Sequence, residues 1–401
     1  MPPPAGRAIP RPAGGFFGAV ILGGMSDNER FPQAATPMLR ALAACVKANV
    51  PVLIWGQPGI GKTAVITACG ETWGYHVETI VGSNREPTDF MGYPIERDGK
   101  TVYSELAWAA RLAEAEKGIL FLDELTTCAP SVQRVMLRIV QERYVGDTKL
   151  HDGVAIIAAA NPPEVAVDGY PLAPPVANRF CHLNGEFSAD AWLDGFVDRF
   201  THAETPALAT MLAGGEAADR IKARSTVLAF LKTRPDLHQQ VPADIDLAGR
   251  GWPSRRSWDN AAAALGYLRP GDSEAALLVM TGLVGEGAAT EFMAWLLASD
   301  LYDPMEVLAN PRIVDWTSRP DRIFALTSAV SALALSHGTK TMWQEAVAVL
   351  TACAKAGRPD LAYPGARSLF QRVPDGAKVP KDTTDAFADL LQRIGRWAEA
   401  A

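Results

Sequence analysis

Residues 50–63 decide the fold of this chain, and they read Val-Pro-Val-Leu-Ile-Trp-Gly-Gln-Pro-Gly-Ile-Gly-Lys-Thr. The apolar half that ends at Trp55 predicts a buried strand, and a helical pattern of apolar residues follows Thr63. Between them, Gly56 and the run Gly61-Lys62-Thr63 satisfy the spacing G-x-x-x-x-G-K-[ST]. Glycines let successive backbone N–H groups point at phosphate oxygens, and the helix directs its positive end at the same anion. A chance match in a glycine-rich chain is the alternative, but the strand-to-helix context favours a phosphate-binding loop.

This loop predicts a bound nucleoside triphosphate with Mg²⁺. Lys62 would reach the β- and γ-phosphates, and the Thr63 hydroxyl would be a ligand of the metal. The predicted nucleotide-binding residues are Gly56, Gln57, Pro58, Gly59, Ile60, Gly61, Lys62, Thr63, Ala64 and Asp123.

A second apolar stretch, residues 118–124, reads Gly-Ile-Leu-Phe-Leu-Asp-Glu and therefore ends in two acids. Buried strands rarely end in paired carboxylates without a reason. We predict that Asp123 is the second protein ligand of Mg²⁺ and that Glu124 orients and deprotonates the attacking water. A solvated strand end with helix-capping acids is the alternative.

The rest of the chain divides into two kinds of pattern. Strand-like segments at 76–81 and 154–159, with helical stretches between strands, predict a parallel sheet that is covered on both faces. After Phe187 the pattern is almost entirely helical, up to Ala401.

Composition excludes several classes of function. The net charge is −7 and no run of basic residues stands out, so the sequence has no electrostatic footprint for nucleic acid or for an acidic membrane surface. The five cysteines form no CxxC pair, which favours reduced thiols in a cytoplasmic protein over disulfides or a zinc site. An apolar run at residues 13–24 is too short to span a bilayer.

The phosphate-binding loop and the strand that ends in two acids resemble the Walker A and Walker B motifs of the AAA+ ATPases. Three further segments also resemble motifs of that family. Residues 155–163 resemble the sensor-1 strand, so the resemblance implies that Asn161 holds the catalytic water. Residues 174–180 resemble the arginine-finger segment, so Arg179 would reach the ATP of a neighbouring subunit. Residues 251–258 resemble the sensor-2 motif, where Arg256 matches the sensor-2 arginine better than Arg255 does. The chain departs from the family at Asn178, where the usual residue before the finger arginine is acidic.

Within AAA+, the chain resembles the MoxR group of the clade that contains dynein-related and magnesium-chelatase-type ATPases. Residues 83–94 are similar to the segment that follows the second strand there, and residues 95–103 alternate around an Asp-Gly pair, which predicts a hairpin. A second candidate hairpin lies at 144–154. The Asn-x-x-Asp motif expected for guanine is missing after Asn161, so ATP is favoured over GTP.

The resemblance implies an α/β fold: an AAA+ core with a five-stranded parallel sheet, followed by a helical lid and further helices. The expected boundaries are a flexible extension at 1–30, the core at 31–187, the lid at 188–300 and a C-terminal helical region at 301–401. The resemblance to the MoxR group further implies a cytoplasmic, chaperone-like ATPase that forms a homo-oligomeric ring, which is a hexamer in this family. That ring would remodel a protein client together with a von Willebrand A domain partner. A nucleic-acid translocase, which the acidic balance disfavours, and a non-hydrolysing nucleotide-gated scaffold are the alternatives.

Overall fold

The computed structural model describes residues 35–162, 169–185, 205–213, 215–299 and 301–388, together with Leu193 and Phe196. The predicted N-terminal extension at 1–30 lies outside the described residues. An α/β core comes first along the chain, and helices follow it.

Five parallel strands form the central sheet. They are β1 (Val52–Trp55), β2 (His76–Val81), β5 (Gly118–Asp123), β8 (Val154–Ala160) and β9 (Cys181–Asn184), in the spatial order β2-β5-β8-β1-β9. Because every neighbouring pair is parallel, the carboxyl ends of β1, β5 and β8 meet at one edge of the sheet. The predicted fold class is confirmed.

The sequence pattern located four of these strands and missed β9. The four have apolar runs, and β8 is buried along its whole length. In contrast, β9 reads Cys-His-Leu-Asn, which has neither an apolar run nor a turn signal that would mark it. It becomes a strand by pairing with β1, where Val52 lies opposite Cys181 and Trp55 lies opposite Asn184.

Successive side chains along a strand point to opposite faces of the sheet and pack into two different hydrophobic cores. Val52 and Ile54 face a core that includes lid residues such as Phe292, whereas Leu53 and Trp55 face the other side. The helices of the α/β part are α1 (Pro37–Lys47), α2 (Lys62–Trp73), α3 (Thr88–Met91), α4 (Ala107–Glu114), α5 (Pro130–Glu142) and α6 (Pro174–Ala177).

Two hairpins project from the α/β part. The first pairs β3 (Pro94–Arg97) with β4 (Lys100–Tyr103), and its turn residues Asp98 and Gly99 both have positive φ, as a tight hairpin turn requires. The second pairs β6 (Tyr144–Val145) with β7 (Thr148–Lys149). The first predicted hairpin is confirmed, and the second is shorter than predicted, since its paired strands cover residues 144–149 and Val154 already belongs to β8. The backbone N–H of Tyr103 donates to the Asp147 carboxylate at 2.8 Å, so the hairpins contact each other.

Helices make up the described remainder. They are α7 (Leu208–Met211), α8 (Ala217–Thr233), α9 (Ile245–Ala248), α10 (Arg255–Leu265), α11 (Ser273–Val284), α12 (Glu286–Ser299), α13 (Pro304–Ala309), α14 (Pro320–His337), α15 (Lys340–Lys355), α16 (Pro359–Phe370) and α17 (Lys381–Ala386). The last of these helices have a core of their own around Trp343, whose indole N–H donates to the Leu369 carbonyl. None of the described helices is both long and apolar enough to cross a membrane.

A buried ion pair joins the first helix to the later helices. The Arg40 guanidinium on α1 donates to both oxygens of Asp272, at 2.7 and 2.9 Å, and Asp272 caps the start of α11. The two side chains are 4% and 1% exposed. Since α11 also packs on β9, the sheet and the helical lid are held together at this point.

Candidate active site

The loop between β1 and α2 has the backbone shape that the glycine spacing predicts. Gly59 and Gly61 have φ of +78° and +93°, which side-chain-bearing residues rarely adopt. A Cβ on Gly56 would lie 2.5 Å from the Ile60 Cδ1 atom. The loop leads into α2 with Gly61 as the residue before the helix, so the N–H groups of the first turn of α2, which have no partner within the helix, lie at the end of the loop.

The outer surface of this loop is open to solvent. Gln57, Pro58, Gly59, Thr63 and Ala64 are exposed. Gly56 and Lys62 are buried, and Lys62 is only 8% exposed. A triphosphate could therefore lie along the loop without displacing a packed side chain.

Lys62 connects this loop to the end of β8. Its ammonium group donates to the carbonyls of Gly56 and Gln57, at 2.8 and 3.0 Å, and to the Asn161 Oδ1 atom at 3.0 Å. Burial lowers the pKa of Lys62, while the nearby carboxylates of Asp123 and Glu124 raise it. The structure thus brings together the predicted lysine, the predicted sensor-1 residue and the two acids.

The two predicted Mg²⁺ ligands also meet. The Thr63 hydroxyl donates to the Asp123 Oδ2 atom at 2.7 Å. A hydroxyl and a single carboxylate suit Mg²⁺, which keeps several waters and takes further ligands from the phosphates of its nucleotide. The described residues contain no group of three or more His, Cys, Asp or Glu side chains that could hold a metal by themselves. The donor set therefore fits a metal that arrives with a triphosphate.

Glu124 adopts a backbone conformation that is unusual for a glutamate. Its φ is +59°, and its carbonyl accepts hydrogen bonds from the Thr127 N–H and hydroxyl, at 3.1 and 2.9 Å. Such left-handed residues cost energy and cluster at functional sites. The turn keeps the half-buried Glu124 side chain beside Asp123 and close enough to Lys62 to affect its pKa.

Arg179 lies at the opposite edge of the sheet. It lies two residues before Cys181, the first residue of β9, which pairs with Val52 at the start of β1, whereas the phosphate loop follows the end of β1. The guanidinium donates to the Gln141 side chain near the end of α5 and to the Pro175 carbonyl. Arg179 is thus separated from its own phosphate loop by the length of β1.

Arg255 and Arg256 lie beside Arg179. The first turn of α10 carries both, and with Arg179 they line a cavity of about 530 Å³ that also contacts Trp252 and Val241. Burial lowers the pKa of Arg179, and the positive charge of Arg256 lowers it further. Both candidate sensor-2 arginines line this cavity. The structure therefore does not determine which of the two matches the sensor-2 residue.

Sequence reasoning missed a set of contacts that runs from the phosphate loop to α6. The Trp55 indole N–H donates to His182 Nδ1 at 2.9 Å, which leaves the His182 Nε2–H to donate to the Ala177 carbonyl at 2.9 Å. The Arg250 guanidinium lies 3.9 Å above the Trp55 ring. Burial lowers the pKa of His182 to about 4, and the charge of Arg250 contributes. No sequence signal pairs residue 55 with residue 182, because β9 itself has no clear pattern.

The central region of the chain is similar to a known domain family. Residues 51–180 match the AAA domain of the dynein-related subfamily. A solved structure described as that of a "putative ATPase" from Cytophaga hutchinsonii is 15% identical, with 62% of this chain and 81% of that chain covered and a TM-score of 0.40. The sheet order and the glycine loop agree with the family match, and residues 51–180 are thus similar in sequence to the AAA domain of the dynein-related subfamily.

Proposed function

We propose that the chain is an ATP-hydrolysing enzyme of the MoxR type whose active site is completed by a second copy of the chain. The observation that carries the proposal is the separation of the two halves of the site. The Thr63–Asp123 contact and the Lys62–Asn161 contact lie at one edge of the sheet, and Arg179 lies at the other.

The carboxyl edge is the edge of the sheet at which β1, β5 and β8 end, and the functional residues there have distinct roles. Thr63 and Asp123 would hold Mg²⁺, which neutralises charge on the phosphates when it is bound. Glu124 would take the proton of the attacking water, and Lys62 would bind the terminal phosphates. Because the Asn161 Oδ1 atom accepts from Lys62, its amide NH₂ remains to orient the water.

At the amino edge, Arg179 and one or both of the adjacent arginines would stabilise the charge that develops on the ATP of a neighbouring subunit. This arrangement requires an assembly in which every copy offers one edge to the next, which is a ring if the contacts close. A hexamer is the size that the MoxR resemblance implies. ATP is proposed over GTP because the guanine motif is missing from the sequence.

The first hairpin supports a protein client. Ile95 of β3 is 45% exposed and Tyr93, which directly precedes β3, is 60% exposed, so two large side chains lie on the surface at this hairpin. We propose that they contact the client as hydrolysis moves the lid. A von Willebrand A domain partner is proposed from the MoxR resemblance alone.

The variant Glu124→Gln tests the enzymatic part of the proposal. It should bind ATP as the wild type does but lose up to about 10⁴-fold in turnover, since only the proton acceptor is removed. Phosphate release and binding of a fluorescent ATP analogue measure the two properties. Glu116→Gln, at an exposed position of the same domain, is the matched control and should keep full turnover.

Three outcomes would contradict the proposal. Equal turnover in Glu124→Gln would remove the assignment of the base, and a wild type without phosphate release would favour a nucleotide-gated scaffold. Stimulation by DNA or RNA would favour the translocase. The Glu124→Gln protein in ATP should also retain client and partner in a pull-down, which would identify both.

A further inference from the structure

Asn178 joins two segments that are far apart in the sequence. Its side chain is buried, with 3% of the residue exposed. The amide NH₂ donates to the Trp252 carbonyl at 2.8 Å, and the amide oxygen accepts from the Ser254 hydroxyl at 2.6 Å. Because a carbonyl can only accept, the contact with Trp252 determines which way the amide points.

The partner segment is itself closely ordered. Ser254 caps α10, and its hydroxyl accepts from the Ser257 N–H at 3.1 Å, while the Ser257 hydroxyl accepts from the Ser254 N–H at 2.8 Å. The Ser257 hydroxyl also donates to the Trp252 carbonyl at 2.9 Å. The Asn178 amide therefore binds to a rigid helix start, which immediately precedes Arg255 and Arg256.

The hydrogen bonds of Asn178 keep two positively charged side chains, those of Arg179 and Arg256, in the same cavity. Arg179 directly follows Asn178, and Arg256 is close enough to lower the pKa of Arg179. Both guanidinium groups line the same cavity and repel each other, so an attachment between their segments that does not depend on charge favours this arrangement. The Asn178 amide provides one, with both of its polar ends satisfied out of contact with water.

An aspartate could not make the same attachment. A carboxylate would direct an oxygen at the Trp252 carbonyl, so two acceptors would face each other in a buried site. The family pattern has an acidic residue at position 178, whereas this chain has an asparagine, which can donate to the Trp252 carbonyl.

We propose that Asn178 is a positioning residue that fixes the lid to the finger helix α6, so that Arg179 and Arg256 form one phosphate-binding surface for a second copy's ATP. The inference rests on the proposed role of Arg179. It assigns Asn178 no contact with the nucleotide.

Asn178→Asp is the direct test. Loss of the donor should lower kcat about tenfold or more, because misplaced charge-stabilising groups lose most of their effect. Binding of ATP to the protein's own phosphate loop should not change. Asn310→Asp is the matched control, since exposed Asn310 uses only its oxygen, as acceptor from the Arg312 N–H, and should keep wild-type turnover.

A mixing experiment separates positioning from a general loss of structure. Lys62→Ala copies lack a working phosphate loop but keep the Asn178 contacts, whereas Asn178→Asp copies keep the loop. Mixed oligomers should therefore turn over ATP faster than either variant does alone. A variant that had lost its fold would not complement.

Ser254→Ala, which removes the other end of the contact, should reproduce the fall in kcat and serves if Asn178→Asp does not fold. Wild-type kcat in both variants would overturn the inference, as would a loss in which ATP binding falls in proportion. If Arg179→Ala itself turned over at the wild-type rate, the proposed function would fail instead.

Discussion

The two edges of the central sheet are built in different ways. At the carboxyl edge, each functional residue lies at or just beyond the end of a strand: Asp123 ends β5, Asn161 follows β8, and Lys62 begins the helix after the β1 loop. At the amino edge, the arginines come from the segments around residues 179 and 256, and the buried contacts of Asn178 join them. The first edge thus depends on local sequence and parallel pairing, whereas the second depends on how the lid docks.

The comparison predicts that Arg179→Ala affects turnover only. We expect a loss of about 10³-fold, at the lower end of the effect of an arginine finger, with unchanged ATP binding. Phosphate release should be measured over a range of protein concentrations. Wild-type activity per subunit should rise with concentration as neighbours assemble, and the residual activity of the variant should not.

The matched control is Arg138→Ala, which removes an exposed arginine paired with Glu142 on α5. Its turnover should equal that of the wild type, since exposed pairs of this kind contribute little. A concentration-independent wild type, or weakened ATP binding in Arg179→Ala, would show that the arginine acts within its own subunit.

Asp272→Asn should weaken the docking of the lid. It removes the buried carboxylate charge that pairs with Arg40, which costs about 3 kcal/mol of the free energy of unfolding. Asparagine can still cap α11, so the substitution removes the charge and keeps the cap. We expect turnover to fall more than ATP binding, because α11 packs on β9 near the arginine edge.

Urea denaturation of Asp272→Asn and Glu274→Gln gives the measurement and its control. The carboxylate of Glu274 is 55% exposed and lies 3.4 Å from Arg40. Its removal should cost less than about 1 kcal/mol. Equal effects of the two substitutions would mean that the buried pair does not hold the lid.

The smallest expected effect concerns His182, which is hydrogen-bonded to Trp55 at one end of β1 and to Ala177 of α6. Burial lowers its pKa from 6.5 to about 4 in the folded protein, so the unfolded chain binds more protons between these values. Its contribution to stability is therefore full above pH 6.5 and is lost as the pH falls to about 4, by about 1 to 3 kcal/mol.

Denaturation of the wild type and of His182→Gln at several pH values measures this contribution. The difference between their free energies of unfolding should shrink as the pH falls from 6.5 to 4. A difference that stays constant across this range would mean that His182 titrates equally in both states.

Much of the fold and most of the carboxyl edge were predictable. Apolar runs marked β1, β2, β5 and β8, because strands covered on both faces must be apolar throughout. The glycine spacing and the paired acids at the end of β5 then predicted the position of the nucleotide site. Arg179, in contrast, was identified only by family resemblance, and the use of Asn178 was not predicted at all.

The sequence by itself determined the α/β order of the core, the phosphate loop and the acids that follow β5, because these features are encoded over a few adjacent residues. The tertiary structure decided that His182 lies against Trp55, that Asn178 binds the start of α10, and that the arginines gather at the far edge of the sheet. Those contacts join segments from about 70 to more than 120 residues apart, and a local pattern does not encode which buried donor will meet which acceptor.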